Sequence, residues 1–172
     1  MLIKNTLKTE VSCEEGRRYY LRIEWNKDLP CAMVIMLTAG QTDGICFDKS
    51  TNLCLSNLIR FGYGSCYIVN LFSSGEIGEA DDEENLKAIK LALSKSDIVI
   101  YAAGTGKDCN KKAVHRKMQV MNLLKNTEKR VYCISDNDGK MFYHPLCPRV
   151  HKWILSEIDV KTLFNDKIDG QT

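Results

Sequence analysis

Four short runs, Ala32–Leu37, Cys66–Leu71, Ile98–Ala102 and Val131–Ser135, are apolar and rich in β-branched residues almost without interruption. A strand that is apolar at every position has to be covered on both faces, which is the situation of a parallel sheet. Helix-length segments separate the runs. Asp48 is placed to cap a helix through about Phe61, with Leu55, Leu58 and Ile59 turned inward and Gly62 or Gly64 ending it. Asp81 or Asp82 can open a second, in which Leu86, Ile89 and Leu93 recur at helical spacing, and a third from about Asn110 to Leu124 sets Val114, Met118 and Met121 on one stripe. Strands alternating with such helices form right-handed βαβ units. The expected fold is α/β: a three-layer α/β/α sandwich with a mostly parallel central sheet.

Ahead of these runs, "YYLRIEW" (Tyr19–Trp25) alternates enough to be a strand, and "NKDLP" would turn it back onto Ala32–Leu37 as an extra N-terminal antiparallel edge strand. The tail from Ser156 to Thr172 reads as a last helical turn or a frayed end. With 172 residues and no linker, repeat or low-complexity tract, the chain is expected to be a single domain over 1–172.

A net charge of +2 exerts no strong pull toward any partner. No apolar stretch approaches the roughly 20 residues of a membrane span, and Met1–Glu10 lacks the layout of a secretion signal, so no membrane partner and a cytoplasmic location are expected. The eight cysteines include no C-x-x-C pair, which argues against structural zinc and for free thiols in a reducing compartment. The three histidines are widely spaced, and no metal or cofactor is expected.

In a parallel sheet, ligands bind beyond the carboxyl ends of the strands, where loops diverge and helix N-termini present free N–H groups. Polar groups gather there after every run: Thr38 to Asp43, Asn70 with Phe72, Gly104 to Lys107, then Asp136, Asn137 and Asp138 followed by His144. Most such residues are turn formers or caps when taken singly. The "GTGK" stretch is not a phosphate-binding loop, because Tyr101 stands where its first glycine belongs and Asp108 where Ser or Thr should follow. It reads as a glycine turn before a helix, with Lys107 able to help hold an anion. Lys107, Lys111, Lys112, Arg116 and Lys117 read as a solvated helix face, with phosphate or nucleic-acid contact as the alternative. "HPLCP" stands apart: Pro145 and Pro148 stiffen the backbone around His144, so the imidazole is held in a set direction and can act as acid, base or donor to an oxyanion. His115 and His151 lie in charged settings and read as surface residues.

In order and combination these features resemble a bacterial and phage family of unknown function, DUF1643. The residues that carry the resemblance are "MLTAGQTD" (Met36–Asp43), "DKST" (Asp48–Thr51), "GYG" (Gly62–Gly64), "NLF" (Asn70–Phe72), Ala103 with Gly104, and "HPLC" (His144–Cys147), spanning about Tyr19 to Pro148. Thr38-Ala39 replaces the family's Asn-Pro, and Ala103 its Trp. More distantly, "GQTD" and "HPL" are similar to loops of uracil-DNA glycosylases, which share an α/β/α sandwich. That resemblance implies that Asp43 activates water, His144 stabilises a departing base, and Asn70 reads a base edge on which Phe72 stacks.

Two functions are therefore expected in competition. One is an N-glycosidic hydrolase of nucleic acid or nucleotides, with Asp43 and His144 catalytic. The other is a non-catalytic nucleotide or nucleic-acid binding module. Thr38, Gly40, Gln41, Asp48, Asn70, Phe72, Gly104 and Lys107 are the expected ligand-binding residues in either case.

Overall fold

A computed structural model describes residues 5–40, 44–78, 82–104 and 111–165. The strands are β1 (Lys8–Glu14), β2 (Arg17–Glu24), β3 (Cys31–Thr38), β4 (Ser65–Phe72), β5 (Ile98–Tyr101), β6 (Val131–Ser135) and β7 (Ile154–Glu157). The α-helices are α1 (Lys49–Arg60), α2 (Glu83–Lys95), α3 (Lys111–Lys125) and α4 (Val160–Asn165). All seven strands join one sheet in the order β1-β2-β4-β3-β5-β6-β7.

The four apolar runs form the contiguous centre, β4-β3-β5-β6, in three parallel ladders. Three antiparallel ladders flank it. The sheet is thus mixed: the expected parallel character holds only at the centre, where both faces are covered and period-2 alternation disappears. Alternate residues of the central strands build two cores. Met33, Ile35, Val69, Leu71, Val99 and Cys133 pack with α2 and α3 residues such as Ile89 and Val120. Ala32, Val34, Ile68, Ile100 and Ile134 pack on the other face with Cys54 and Leu58 of α1 and with Trp153.

The expected hairpin between Tyr19–Trp25 and Ala32–Leu37 does not form, because both sides of β3 are taken by β4 and β5. Instead β2 pairs antiparallel with β4, and the "NKDLP" segment steps over the entrance of β4. Trp25 and Asn26 amides both donate to the Gly64 carbonyl at 2.9 Å, and the Gly64 amide donates to Pro30 O at 2.9 Å. A side chain at Gly64 would collide with the Asn26 carbonyl, so this crossing requires glycine. The true partner of β2 on its outer side is β1, reached through Glu15 and Gly16, both with positive φ (46° and 79°). That is the backbone signature of the tight hairpin turns whose twist matches the strands.

Three helical details also differ from expectation. In α3 the buried stripe is Ala113, Arg116, Val120 and Leu124, whereas Val114 and Met118 are 45% and 52% exposed. The helix is turned because Arg116 is not on a solvated face: its guanidinium satisfies backbone carbonyls described below. In α1, Ile59 faces solvent and Asn57 takes a buried place. The Asn57 side chain donates to His151 O at 3.0 Å and accepts from Trp153 N at 2.9 Å, pinning the segment that leads into β7. The C-terminal segment contributes β7 and α4 rather than only a helical turn.

None of the described cysteines is in a disulfide, and Cys54, Cys66 and Cys133 are buried. Among the described residues no helix is long and apolar enough to cross a membrane.

Candidate functional site

In the parallel centre, β4 is laid to one side of β3 and β5 to the other. The connections leaving β3 and β5 therefore diverge, α1 covering one face and α3 the other. A crevice opens between the carboxyl ends of two such strands, at the topological switch point. Gly40 follows β3 there and Gly104 follows β5.

The rim is built by tying loops to strand ends. After β3, the Ala39 amide donates to both Phe72 O (3.1 Å) and Ser74 O (3.0 Å), so the chain is drawn across the end of β4. Gly40 then passes against a carboxylate oxygen of Asp48, at a point where any Cβ would collide with it. Asp48 is the N-cap of α1, and its Oδ1 accepts the Thr51 amide at 2.7 Å. Asp48 thus has a fixed direction and a glycine that lets backbone approach it.

Asn70, fully buried near the end of β4, donates from Nδ2 to the Thr38 carbonyl at 2.6 Å. Its Oδ1 accepts from Arg18 Nη2 at 3.2 Å. The Asn70 carbonyl in turn accepts from Asn85 Nδ2 of α2, at 3.1 Å.

Gly104 has φ +83°, the left-handed region, and a Cβ there would stand 3.6 Å from the Cβ of His144. The His144 ring Nδ1 accepts the Leu146 amide at 3.2 Å, and the His144 carbonyl accepts the Cys147 amide at 2.9 Å. With Nδ1 occupied as an acceptor, the neutral ring carries its proton on Nε2. Burial pushes the His144 pKa below its ordinary value, and the Asp48 charge opposes that shift without cancelling it. Near neutral pH the imidazole is therefore an uncharged Nε2–H donor.

Arg18 is the functional candidate that sequence reasoning missed. It is only 4% exposed. Strand alternation reads "YYLRIEW" (Tyr19–Trp25) as a simple strand and leaves Arg18 ahead of it, but β2 starts at Arg17 and the β1–β2 register slips at one point: Ser12 pairs with Tyr20 and Cys13 with Arg18, leaving Tyr19 unpaired. This is a β-bulge, which re-aims the side chains beyond it. It brings Arg18 to the Asn70 side chain and into electrostatic range of Asp48 and Cys54 on the α1 face. No residue type in the sequence announces the bulge.

The structure thus gathers Thr38 through its carbonyl, Gly40, Asp48, Asn70, Gly104 and His144 around the switch point. Phe72 is not among them: it packs in the core on the opposite, α2 face. Both polar atoms of the Asn70 amide are engaged by protein partners. Gln41, Asp43 and Lys107 lie outside the described residues. Asp136 behaves as a turn former, its carboxylate taking the amides of Asp138 and Lys140 and the Tyr143 hydroxyl. His115 and His151 are exposed, as expected. Among the described residues no group of His, Cys, Asp and Glu is arranged to hold a metal. A hollow of about 690 Å³, lined by Asp97, Thr127 and Arg130 among others, lies at the opposite, amino end of the parallel strands.

Fold and site together define an α/β protein with polar side chains and two glycines gathered at the switch point of its sheet. Residues 18–146 match the model of the family described as protein of unknown function (DUF1643), and the chain belongs to that family. The matched segment begins at Arg18 and ends two residues after His144, so it contains every residue of the crevice described above. No curated protein matches the chain.

Proposed function

We propose that the crevice binds a nucleotide, free or within a nucleic acid, on a layered α/β/α scaffold of the kind seen in uracil-DNA glycosylases. The observation that carries this reading is the meeting of Asp48 and His144 beside two glycines, Gly40 and Gly104, at the switch point. Glycines there let ligand and backbone come close, and fixed donors and acceptors from separate elements give a polar heterocycle or its sugar defined partners. Thermal melting against a panel of nucleosides, nucleotides and short single-stranded oligonucleotides tests it, since a ligand of the folded state raises the midpoint. An upward shift that Asp48→Asn or His144→Ala abolishes supports the reading. No shift from any member at millimolar concentration overturns it.

A second reading, hydrolysis of an N-glycosidic bond, is favoured by one detail: His144 is neutral with its proton on Nε2, the state that donates to charge developing on a departing base. Release of free base from uracil-containing and other modified DNA, lost in His144→Ala, is the result expected of that activity. Binding without release of any base leaves the protein a binding module.

A further inference from the structure

We propose that Arg18 is the anion-receiving group of this crevice and takes a phosphate oxygen of the ligand, an inference that rests on the nucleotide reading above. Its guanidinium stays charged at all accessible pH, and it is buried at the end of a β-strand. Of its three nitrogens only Nη2 has a partner, the neutral amide oxygen of Asn70. Nε and Nη1 are shut off from solvent and make no hydrogen bond. Among the described residues Arg18 makes no ion pair. The carboxylate whose charge acts on it, Asp48, has one oxygen committed to the Thr51 amide and the other laid against Gly40.

A buried cation with unpaired N–H groups is a standing cost of folding. The fold incurs it by means of a specific device, the bulge at Tyr19, which would be unnecessary if Arg18 faced water. A second buried polar atom is also unpartnered, Thr51 Oγ1 in the first turn of α1, the helix that Asp48 caps and that carries Cys54, both within electrostatic range of Arg18. Guanidinium N–H groups and a hydroxyl donor beside a helix N-terminus are the equipment for an oxyanion, and arginine is suited to phosphate by its fixed fork of donors. The neutral His144 adds no positive charge, so among the described residues of the crevice Arg18 supplies the cation that meets the ligand.

The test compares each nucleoside with its 5′-monophosphate, and inorganic phosphate alone, on the wild type, Arg18→Met and Arg18→Lys, by calorimetric titration and thermal melting. The wild type should bind a monophosphate at least about tenfold tighter than its nucleoside, because charge-assisted bonds to a buried guanidinium are the strong ones. Arg18→Met should bring that preference below about twofold while leaving nucleoside affinity in place, and its ligand-free midpoint should equal or exceed that of the wild type. Arg18→Lys, which keeps the charge and loses the fork, should retain part of the preference. A preference that survives in Arg18→Met overturns the proposal, as does an Arg18→Met protein that melts well below the wild type, which would mark Arg18 as a structural residue. Nucleosides binding with no preference for the phosphate overturn this inference and leave the nucleotide reading standing. Inorganic phosphate protecting the wild type but not Arg18→Met, with no nucleotide bound, sustains Arg18 as the anion group and overturns the nucleotide reading.

Discussion

Two arginines are buried at the carboxyl end of the sheet, one on each face, and they are treated oppositely. On the α2 face Arg116 is 1% exposed and every nitrogen of its guanidinium is engaged. Nε donates to Leu71 O at 2.9 Å, Nη2 to Asp82 O at 3.1 Å, and Nη1 to Gln119 Oε1 at 3.0 Å. On the α1 face Arg18 has one partner and two unpaired nitrogens. Burial alone therefore says little about what a charged side chain does. The completeness of its hydrogen bonding separates a residue that holds the protein together from one held ready for something else.

The contrast breaks most sharply in stability. Arg116→Met should cost about 3 kcal/mol, because the Leu71 and Asp82 carbonyls lose a charged donor inside the fold. Arg18→Met should change stability by less than about 1 kcal/mol, or raise it, since it removes an unpaired buried charge. Urea denaturation midpoints of the two variants check this, and equal losses would erase the distinction. Gly104→Ala should cost about 1 kcal/mol, from the left-handed backbone alone, because the added methyl would meet His144 only at ordinary contact distance. Its readout is the melting midpoint, and a loss several times larger would mean that the loop packs more tightly than described.

The smallest effect is in pH. His144 has a folded-state pKa below its unfolded value near 6.5, so between the two the unfolded chain binds the extra proton. Stability is full above the unfolded pKa and declines as pH falls through that window. His144→Gln should flatten this decline. Denaturation midpoints at pH 7.5 and 5.5 for both proteins check it, and identical slopes would remove His144 as the source.

The central architecture was legible in the sequence because hydrophobic burial writes itself directly into it. Runs such as Cys66–Leu71 have no polar face, and Gly62, with φ +83°, ends α1 where expected. The gathering of Gly40, Asp48, Asn70, Gly104 and His144 was legible for a related reason: strand polarity alone sends those residues to one end. What was hidden depends on pairing between distant segments. The step of Trp25–Pro30 over Gly64 and the burial of Arg116 leave no periodic trace. Nor does the slip at Tyr19, since a one-residue shift of register turns side chains over without altering composition. Phe72 was misplaced for the same kind of reason, its apolar side chain serving either face of the strand equally well.

The bulge at Tyr19 also divides the molecule's labour. Strand β2 joins the sheet by lying along β4, so the scaffold of β3, β4, β5 and β6 and the guanidinium that serves it come from separate stretches of chain. A guest gripped by Arg18 on one side and by Asp48 and His144 on the other would act as a rivet, fastening the amino-terminal ribbon to the body. Occupancy would then be felt as slower amide hydrogen exchange along β1 and β2, well away from where the guest sits.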